Sequence, residues 1–249
     1  MNLQRIKFGR TQTALCTRLG DDLTGAINAL GLSLPRPVIV LVGGAGGVDQ
    51  TTMQLIHKVT HTLCQIAEKY QAILVDGGTR SGVMASIGQV RRESNFSFPL
   101  LGVVVESLAR IPSQPGQVSK LRLWLSSSPL DPGHTHFLLV PGETWGDESE
   151  WIARTATHIT GGAPSVTILI NGGEISRQDL KNSLKENRPV IVVAGTGRLA
   201  DELAEGRLVA SPAAGNQMNN STDGTLIFIA HAQDDGSVFR VVDNIFLRR

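Results

Sequence analysis

The chain has 249 residues and a formal net charge of +1, which excludes the broad basic surface of a nucleic-acid-binding protein. One Tyr, three Trp and seven Phe also leave few rings on which bases could stack. No apolar run approaches the ~18 residues that would span a membrane. The two cysteines, Cys16 and Cys64, show no paired spacing, which is typical of a reducing compartment. We therefore expect a cytoplasmic protein that contacts neither nucleic acid nor membrane.

Six apolar runs recur along the chain, and most of them lead directly into glycine. Continuous runs of aliphatic and β-branched residues are typical of strands that are buried on both faces of a parallel sheet. The runs cover residues 37–44, 72–78, 99–106, 136–142, 165–173 and 189–197.

Segments with helical features lie between these runs. They cover residues 51–70, 82–93, 147–160, 176–187 and 197–206. In 51–70 the apolar residues recur near the spacing of one helix face. Alternating strands and helices predict an α/β fold, with a Rossmann-like, doubly wound and mostly parallel sheet and helices on both faces.

The two ends of the chain follow other patterns. Near the start we predict a short strand at 3–8 and a helix at 21–30. Residues 207–249 hold a turn-rich stretch and then two apolar segments around Asp235-Gly236, which predicts a C-terminal β hairpin. We expect one domain over residues 1–249, with its core at about 35–206.

Ligands of open α/β sheets bind outside the carboxyl ends of the strands, and four candidate loops follow apolar runs there. The first, "VGGAGGVDQTT", places several glycines before a helix, where bare amides suit an anion. A tight turn with Asp49 or Thr51 as a simple N-cap explains the pattern equally well. The candidate binding residues are Gly43, Gly44, Gly46 and Gly47.

The second loop interrupts the stretch "ILVDGGTRSGVMASIG". It combines glycines, hydroxyls and one cation at a helix N-terminus, which are the parts of a phosphate cradle. The alternative is a turn that packs a helix against a strand. The candidate residues are Gly77, Gly78, Thr79, Arg80, Ser81 and Gly82.

The third loop, "PGETWGDESEWIAR", is acidic. One interpretation is a solvated first helical turn, stabilised by the helix dipole and by an i, i+4 pair of Glu150 and Arg154. The other interpretation places a carboxylate on a sugar hydroxyl, Arg154 on a phosphate and Trp145 against a ring. The candidate ligand-binding residues are Gly142, Glu143, Thr144, Trp145, Gly146 and Arg154.

The fourth loop matches the dinucleotide fingerprint G-x-G-x-x-A between a strand and a helix. No acidic residue closes a following strand about twenty residues on, which disfavours a dinucleotide-dependent dehydrogenase. A phosphate or ribose contact through Gly195, Thr196 and Gly197 stays open.

Two histidines in "LDPGHTHFLL" share one strand face, but zinc needs a third protein ligand. We expect His134 and His136 to be structural. The sequence indicates no metal and no cofactor.

Three segments together resemble a known superfamily. They are "DGGTRSGVMASIGQV", "LDPGHTHFLLVPGETWGDESEW" and "VIVVAGTGRLADEL". The SLOG, or LSDAT, superfamily joins Lonely Guy enzymes, Smf/DprA proteins and the N-terminal region of melastatin-type TRP channels. The chain looks like a stand-alone prokaryotic member of the channel-like branch, over roughly residues 35–205.

The resemblance implies a Rossmann-like sheet that binds nucleotides or their derivatives, with ADP-ribose as the ligand class of the channel branch. It implies that the loop with Gly77, Gly78, Thr79 and Gly82 cradles phosphate. The G-x-x-x-E-x-x-x-R pattern of Gly146, Glu150 and Arg154 then falls in the second half of the site.

Two functions from different classes follow, beside a structural or interaction protein without a ligand. The first is a sensor of ADP-ribose, NAD or a cyclic relative, which would act through a separate effector protein or through self-assembly as a homo-oligomer, a dimer or higher. The second is an N-glycosidase in which Glu150 or Glu148 stabilises charge at the ribose. The loop after Pro141 is one residue longer than the Lonely Guy motif P-G-G-x-G-T-x-x-E, and that family's upstream Arg has no good match, which disfavours this chemistry.

Overall fold

The computed structural model describes residues 3–8, 12–20, 22–44, 46–111, 127–210, 226–234 and 236–247. The strands in these ranges are β1 (Gln4–Phe8), β2 (Gln12–Arg18), β3 (Val38–Gly43), β4 (Ile73–Asp76), β5 (Leu100–Val105), β6 (Ala109–Arg110), β7 (Ser128–Pro129), β8 (His136–Val140), β9 (Ser165–Ile170), β10 (Val190–Ala194) and β11 (Ile227–His231). The helices are α1 (Leu23–Ala29), α2 (Gln50–Lys69), α3 (Gly82–Glu93), α4 (Ser149–Thr160), α5 (Glu174–Lys185), α6 (Arg198–Ala210) and α7 (Ser237–Leu247).

Nine strands form one sheet in the order β1-β2-β8-β5-β4-β3-β9-β10-β11. Only the pair β1–β2 is antiparallel among these neighbours. Strands β6 and β7 pair separately. The mostly parallel sheet that the apolar runs predict is therefore confirmed.

Side chains of the central strand β3 alternate between two cores, one on each face of the sheet. Ile39 and Leu41 face the core that is covered by α2, α3 and α7. Val38, Val40 and Val42 face the core that is covered by α1, α4, α5 and α6. This alternation places helices on both faces, as expected for a doubly wound fold.

The strand order reverses beside β3. From β3 the chain adds β4, β5 and β8 on one side and then returns to add β9, β10 and β11 on the other. The carboxyl ends of β3 and β9 therefore border a topological switch point, where open α/β sheets bind their ligands. Gly43 allows the close approach there, because a methyl group at position 43 would lie 1.9 Å from the carbonyl oxygen of Ile170.

The predicted C-terminal β hairpin is wrong. Its first half is β11, which pairs in parallel with β10, but its second half is the helix α7. Val238, Val242 and Phe246 recur every four residues, a spacing that shares one face in a helix and in a strand alike, and the chain buries all three on one face of α7. The turn-rich 211–225 and Asp235 lie outside the described residues.

The N-terminal strand and the helix near residues 21–30 are confirmed as β1 and α1. Strand β2 is an addition to the predicted elements. It buries Ala14 and Cys16, but polar residues flank the short apolar stretch Ala14-Leu15-Cys16 on both sides, so it lacks the longer apolar run that marks the other strands.

Among the described residues, we find no helix with both the length and the apolar character needed to cross a bilayer.

Candidate functional site

A cleft of about 360 Å³ opens at the carboxyl ends of β3 and β4, beside the first turns of α3 and α5. We call it the β3 cleft, because Leu41, Val42 and Gly43 of that strand line it. The α3 side of the cleft consists of Gly77, Thr79, Ser81, Met84 and Ser128. The α4–α5 side consists of Trp145, Glu148, Ile152, Ile175, Ser176 and Asp179.

The α3 side presents an uncapped helix N-terminus. Ser81 occupies the N-cap position, and its side chain makes no capping hydrogen bond. The hydroxyl oxygens of Thr79 and Ser81 lie 2.9 Å apart. Because the first N–H groups of a helix lack intrahelical partners and form the positive end of the helix dipole, this side suits an anion.

Neighbouring glycines of this loop have different roles. Gly78 has φ +64°, and a methyl group there would lie 2.8 Å from Cα of Gly102 and 2.7 Å from Cγ2 of Val104. Gly78 is thus required by the packing of the turn against β5. A methyl group on Gly77 would meet nothing closer than Cε of Met84, at 3.8 Å, so Gly77 leaves the cleft open without serving the packing.

Two buried carboxyl groups mark the α4–α5 side. Glu148 is 7% exposed and accepts a hydrogen bond from the Gly146 amide at 2.9 Å, and burial raises the pKa of its carboxyl. Asp179 is 8% exposed. Burial raises the pKa of Asp179 to about 7, the charge of Glu148 adds to the rise, and the Ser149 hydroxyl opposes it. Among the described residues, Oδ1 of Asp179 is buried without a hydrogen-bond partner.

The structure separates the two glutamates that were candidates for catalysis. The side chain of Glu150 is 68% exposed and pairs with Arg154 at 3.5 Å. The Arg154 guanidinium in turn lies 4.8 Å from the ring centre of Trp151. Both residues lie outside the lining of the β3 cleft, so only Glu148 of the two glutamates borders it.

Amides of the acidic loop before α4 are used within the chain. The N–H groups of Glu143 and Thr144 donate to Oδ2 of Asp147 at 2.8 and 3.0 Å. These bonds hold the pKa of the Asp147 carboxyl below its usual value. Of the candidate ligand-binding residues in this loop, Trp145 lines the cleft, whereas Gly142, Glu143, Thr144 and Gly146 do not.

The fingerprint loop after β10 is also satisfied internally. The amides of Gly195 and Gly197 donate to the two carboxylate oxygens of Asp201, at 2.6 and 3.0 Å. Thr196 is fully buried, donates to the Val193 carbonyl and accepts the amide of Asn171. The Asp201 carboxylate thus accepts the hydrogen bonds from the two glycine amides that the sequence analysis considered as phosphate donors.

The glycine loop after β3 lies at the switch point. Of its glycines only Gly43 lines the cleft, and Gly44, Gly46 and Gly47 lie beyond it. Asp49 caps α2 by accepting the Thr52 amide at 2.8 Å, as the simpler interpretation of this loop expects.

Arg198 brings a positive charge to the same place. A methyl group on Gly173 would lie 2.6 Å from its Nη2, and one on Gly46 would lie 3.6 Å from its Nη1. Arg198 is exposed, and its guanidinium forms no hydrogen bond or ion pair with any residue in the described ranges. Arg80 is also exposed, next to the α3 side.

His134 has a structural position beneath the phosphate-cradle candidate. Its ring nitrogens contact Oδ1 of Asp76 at 2.7 Å and Oδ1 of Asp131 at 3.2 Å. Burial lowers the pKa of His134, but the two carboxylates outweigh this and raise it to about 9. Asp76 also accepts the Gly78 amide at 2.6 Å, so this network fixes the turn before α3. His136 differs, because burial lowers its pKa to about 4.

Several lining residues escaped the sequence analysis. Asp179 sits in the polar stretch "EISRQDLKNSLK", where its burial has a faint signal: Ser176, Asp179, Leu180 and Ser183 share one helix face. The other lining residues that the sequence did not predict are Leu41, Val42, Met84, Ser128, Ile152, Ile175 and Ser176. Arg198, which lies outside this lining, was also not predicted, because only the glycines of the preceding fingerprint were candidates.

Comparisons with known proteins support the resemblance. A family model described as SLOG in TRPM, prokaryote, matches residues 36–237. The chain is 24% identical over 204 residues to transient receptor potential cation channel subfamily M member 2 of Mus musculus. This alignment covers 70% of this chain and 14% of the channel. It is 23% identical over 276 aligned residues to the member-like 2 protein of Nematostella vectensis, which covers 96% of this chain and 17% of that protein. The chain thus spans less than a fifth of these relatives.

A solved structure shows the same fold. The molybdenum cofactor binding protein of the phototrophic bacterium Rippkaea orientalis aligns with a TM-score of 0.52 and 14% identity. The alignment covers 86% of this chain and 99% of that protein. At this identity the likeness concerns the fold alone.

Proposed function

Because the chain belongs to the prokaryotic family of SLOG domains related to those of TRPM channels, we propose that it binds a nucleotide-derived ligand in the β3 cleft. The ligand class is ADP-ribose, NAD or a cyclic relative. We also propose that residues 1–249 work as one such domain.

The observation that carries the proposal is the uncapped start of α3 beside an apolar cleft. Thr79, Ser81 and the first-turn amides of α3 supply donors for a phosphate. Gly77 lets the phosphate approach the backbone, because an added methyl group there would meet only the end of the Met84 side chain, at 3.8 Å. Arg80 and Arg198 supply exposed positive charge from the adjoining loops.

The rest of the cleft suits a ring and a sugar. Leu41, Met84, Ile152, Ile175 and Trp145 line it with apolar and aromatic surface. A cleft of about 360 Å³ that combines such apolar surface with hydroxyl and carboxyl groups resembles ordinary small-molecule sites. Some candidates receive less support. The amides of Glu143, Thr144 and the two glycines of the loop 195–197 already donate to carboxylates of the chain. The Arg154 side chain is exposed and pairs with Glu150.

One observation favours a second candidate, an N-glycosidase acting on such a nucleotide. Glu148 places a carboxyl in the cleft, where it could stabilise positive charge that develops at a ribose carbon. Turnover separates this function from binding alone.

The test incubates the purified protein with ADP-ribose, NAD, cyclic ADP-ribose and nucleoside monophosphates, and with molybdopterin because of the fold neighbour's name. Mass spectrometry then identifies the ligand retained by the protein and the free products. A retained, unchanged nucleotide supports binding. Released base with ribose phosphate supports the glycosidase, and in that case Glu148→Gln should abolish turnover. If the protein neither retains nor converts any ligand of the panel, both functions are contradicted.

We further propose that the protein is a homo-oligomer and passes the ligand signal to a separate effector protein. Light scattering with and without the retained ligand checks the first part. A monomeric mass under both conditions would contradict it.

A further inference from the structure

The ionisable groups of the β3 cleft are unevenly placed. Among the described lining residues, Glu148 and Asp179 are the only ionisable side chains, and both belong to the α4–α5 side. The α3 side offers hydroxyls and a helix N-terminus instead. The cleft therefore has one side that suits an anion and another that repels it.

Asp179 has a buried oxygen that the described chain does not satisfy. Its Oδ1 lacks a hydrogen-bond partner, although the residue is 92% shielded from solvent on the lining of a cleft. Buried polar atoms in native structures are nearly always paired, so an orphan oxygen at a cleft indicates a partner that arrives with a ligand.

The elements around Asp179 bring it no counter-charge. At the start of α4 it faces Glu148, which itself is next to Asp147. It also faces the Ser149 hydroxyl, which lowers the pKa of Asp179 and whose oxygen likewise lacks a hydrogen-bond partner of good geometry among the described residues. The strands β3, β9 and β10 contain no ionisable residue. On its own helix, Arg177 is engaged by Glu174 and Glu202. Burial and the nearby charge of Glu148 both disfavour the ionised form of Asp179, so this carboxyl exchanges its proton near neutral pH.

We propose that Asp179 and Glu148 bind an uncharged, hydroxyl-bearing part of the ligand, such as the cis-diol of a ribose, and exclude a phosphate from that side of the cleft. A carboxylate accepts hydrogen bonds from hydroxyls, which satisfies the orphan oxygen of Asp179. A phosphate on the same hydroxyl removes a donor and adds negative charge beside the pair. This inference rests on the proposed function, because it assigns the two ends of the same ligand.

The test compares ligands that differ by one phosphate on a ribose hydroxyl. The pairs are ADP-ribose with its 2′-phosphate, NAD with NADP, and AMP with adenosine 2′,5′-bisphosphate. Titration calorimetry measures both members of the pair that binds, at pH 6 and pH 8. The wild-type protein should prefer the hydroxyl form by about tenfold or more at pH 8, and less at pH 6, where the Asp179 carboxyl keeps its proton.

Asp179→Asn is nearly isosteric and removes the ionisable group. This variant should lower the preference for the hydroxyl ligand at pH 8 by about tenfold. Its preference should then be equal at the two pH values, except for the part that comes from titration of the ligand phosphate itself. The matched control is Glu174→Gln on the same helix, which removes an exposed carboxylate outside the cleft and should keep the wild-type preference. Glu148→Gln gives a second variant if Asp179→Asn does not fold.

The outcomes separate this inference from the proposed function. If a ligand binds but wild type does not discriminate between the members of its pair, the inference is overturned and the proposed function stands. The same holds if the preference persists in both carboxyl variants. Cyclic ADP-ribose and its 2′-phosphate form a fourth pair. If no ligand of any pair binds, the proposed function fails and the inference fails with it.

Discussion

Two adjacent glycines, Gly77 and Gly78, differ in what they tolerate. Position 78 combines φ +64° with backbone only 2.8 Å from an added methyl group, whereas a methyl group at position 77 would make only an ordinary contact with Cε of Met84, at 3.8 Å. We expect Gly78→Ala to lower the free energy of unfolding by about 2–4 kcal/mol, from left-handed strain and overpacking. Urea unfolding of both alanine variants measures this.

Gly77→Ala should leave the unfolding free energy within about 1 kcal/mol of wild type. It should lower the affinity for the retained nucleotide about tenfold or more, because a methyl group then occupies the space beside the α3 N-terminus. Equal losses of stability in the two variants would contradict the separate roles of the glycines. Gly206→Ala, where an added methyl group meets no atom within 4 Å, is the matched control.

Asp179 gives a prediction that needs no ligand. Its pKa rises from 3.8 to about 7 on folding, so the folded state holds more protons than the unfolded state in that window. The stability that this proton provides is complete below pH 3.8 and is lost as the pH rises through 7. Asp179→Asn should therefore raise Tm over wild type at pH 8, because it removes the destabilisation that comes from ionising Asp179. Each kcal/mol removed should raise Tm by about 2–4 °C, and the rise should be smaller at pH 5.

Thermal unfolding at the two pH values measures the difference, with Glu174→Gln as the exposed-carboxylate control. A pH-independent gap between Asp179→Asn and wild type would show that ionisation of Asp179 is not what destabilises the fold.

At the scale of elements, the Asp76–His134–Asp131 network joins the end of β4 to the segment before β8 and to α3. A methyl group on Gly88 of α3 would lie 1.9 Å from Oδ1 of Asp131, so the helix packs directly on this network. The network therefore positions the helix N-terminus that we assign to the phosphate.

The charge of His134 makes this link dependent on pH. Its pKa rises from 6.5 to about 9 on folding, so the stabilisation is complete below pH 6.5 and is lost as the pH rises through 9. His134→Gln should cost about 3 kcal/mol at pH 6.5, because it leaves buried carboxylates unpaired, and less at pH 9.5. Denaturant unfolding at both values tests this, and a cost that stays constant would refute a charged His134.

The same scale shows what the sequence predicts and what it does not. Continuous apolar runs predict β3, β4, β5, β8, β9 and β10, because burial on both faces leaves a strong local pattern. In the segment after Asp235, two patterns compete. The turn dipeptide favours a hairpin, but burial of Val238, Val242 and Phe246 against the core favours α7.

The site is less predictable than the fold for a similar reason. Loops rich in glycine are visible in the sequence, but which amides remain free depends on Asp147 and Asp201, whose carboxylates turn back onto their own loops. Asp179 becomes a cleft residue only because α4 and α5 close over β3. Such tertiary contacts leave little trace in one sequence.

At the scale of the whole molecule, the β3 cleft joins the two halves of the sheet. The α3 side follows β4, and Arg198 follows β10 on the other side of the switch point. A phosphate that contacts both would connect these halves. Since a ligand that binds only the folded state stabilises it, the retained nucleotide should raise Tm by an amount that grows with the logarithm of its concentration divided by its Kd.

Arg198→Gln tests this connection, because it removes the charge and keeps much of the side-chain length. The guanidinium is exposed and unpaired within the described part of the chain, so the apo protein should unfold within about 0.5 kcal/mol of wild type. The affinity for the retained nucleotide should fall about fivefold to tenfold, and the remaining affinity should depend less on salt. Lys181→Gln, an exposed cation on α5 outside the cleft, is the control. Unchanged affinity in Arg198→Gln would confine the phosphate to the α3 side and leave the switch point without a role in its binding.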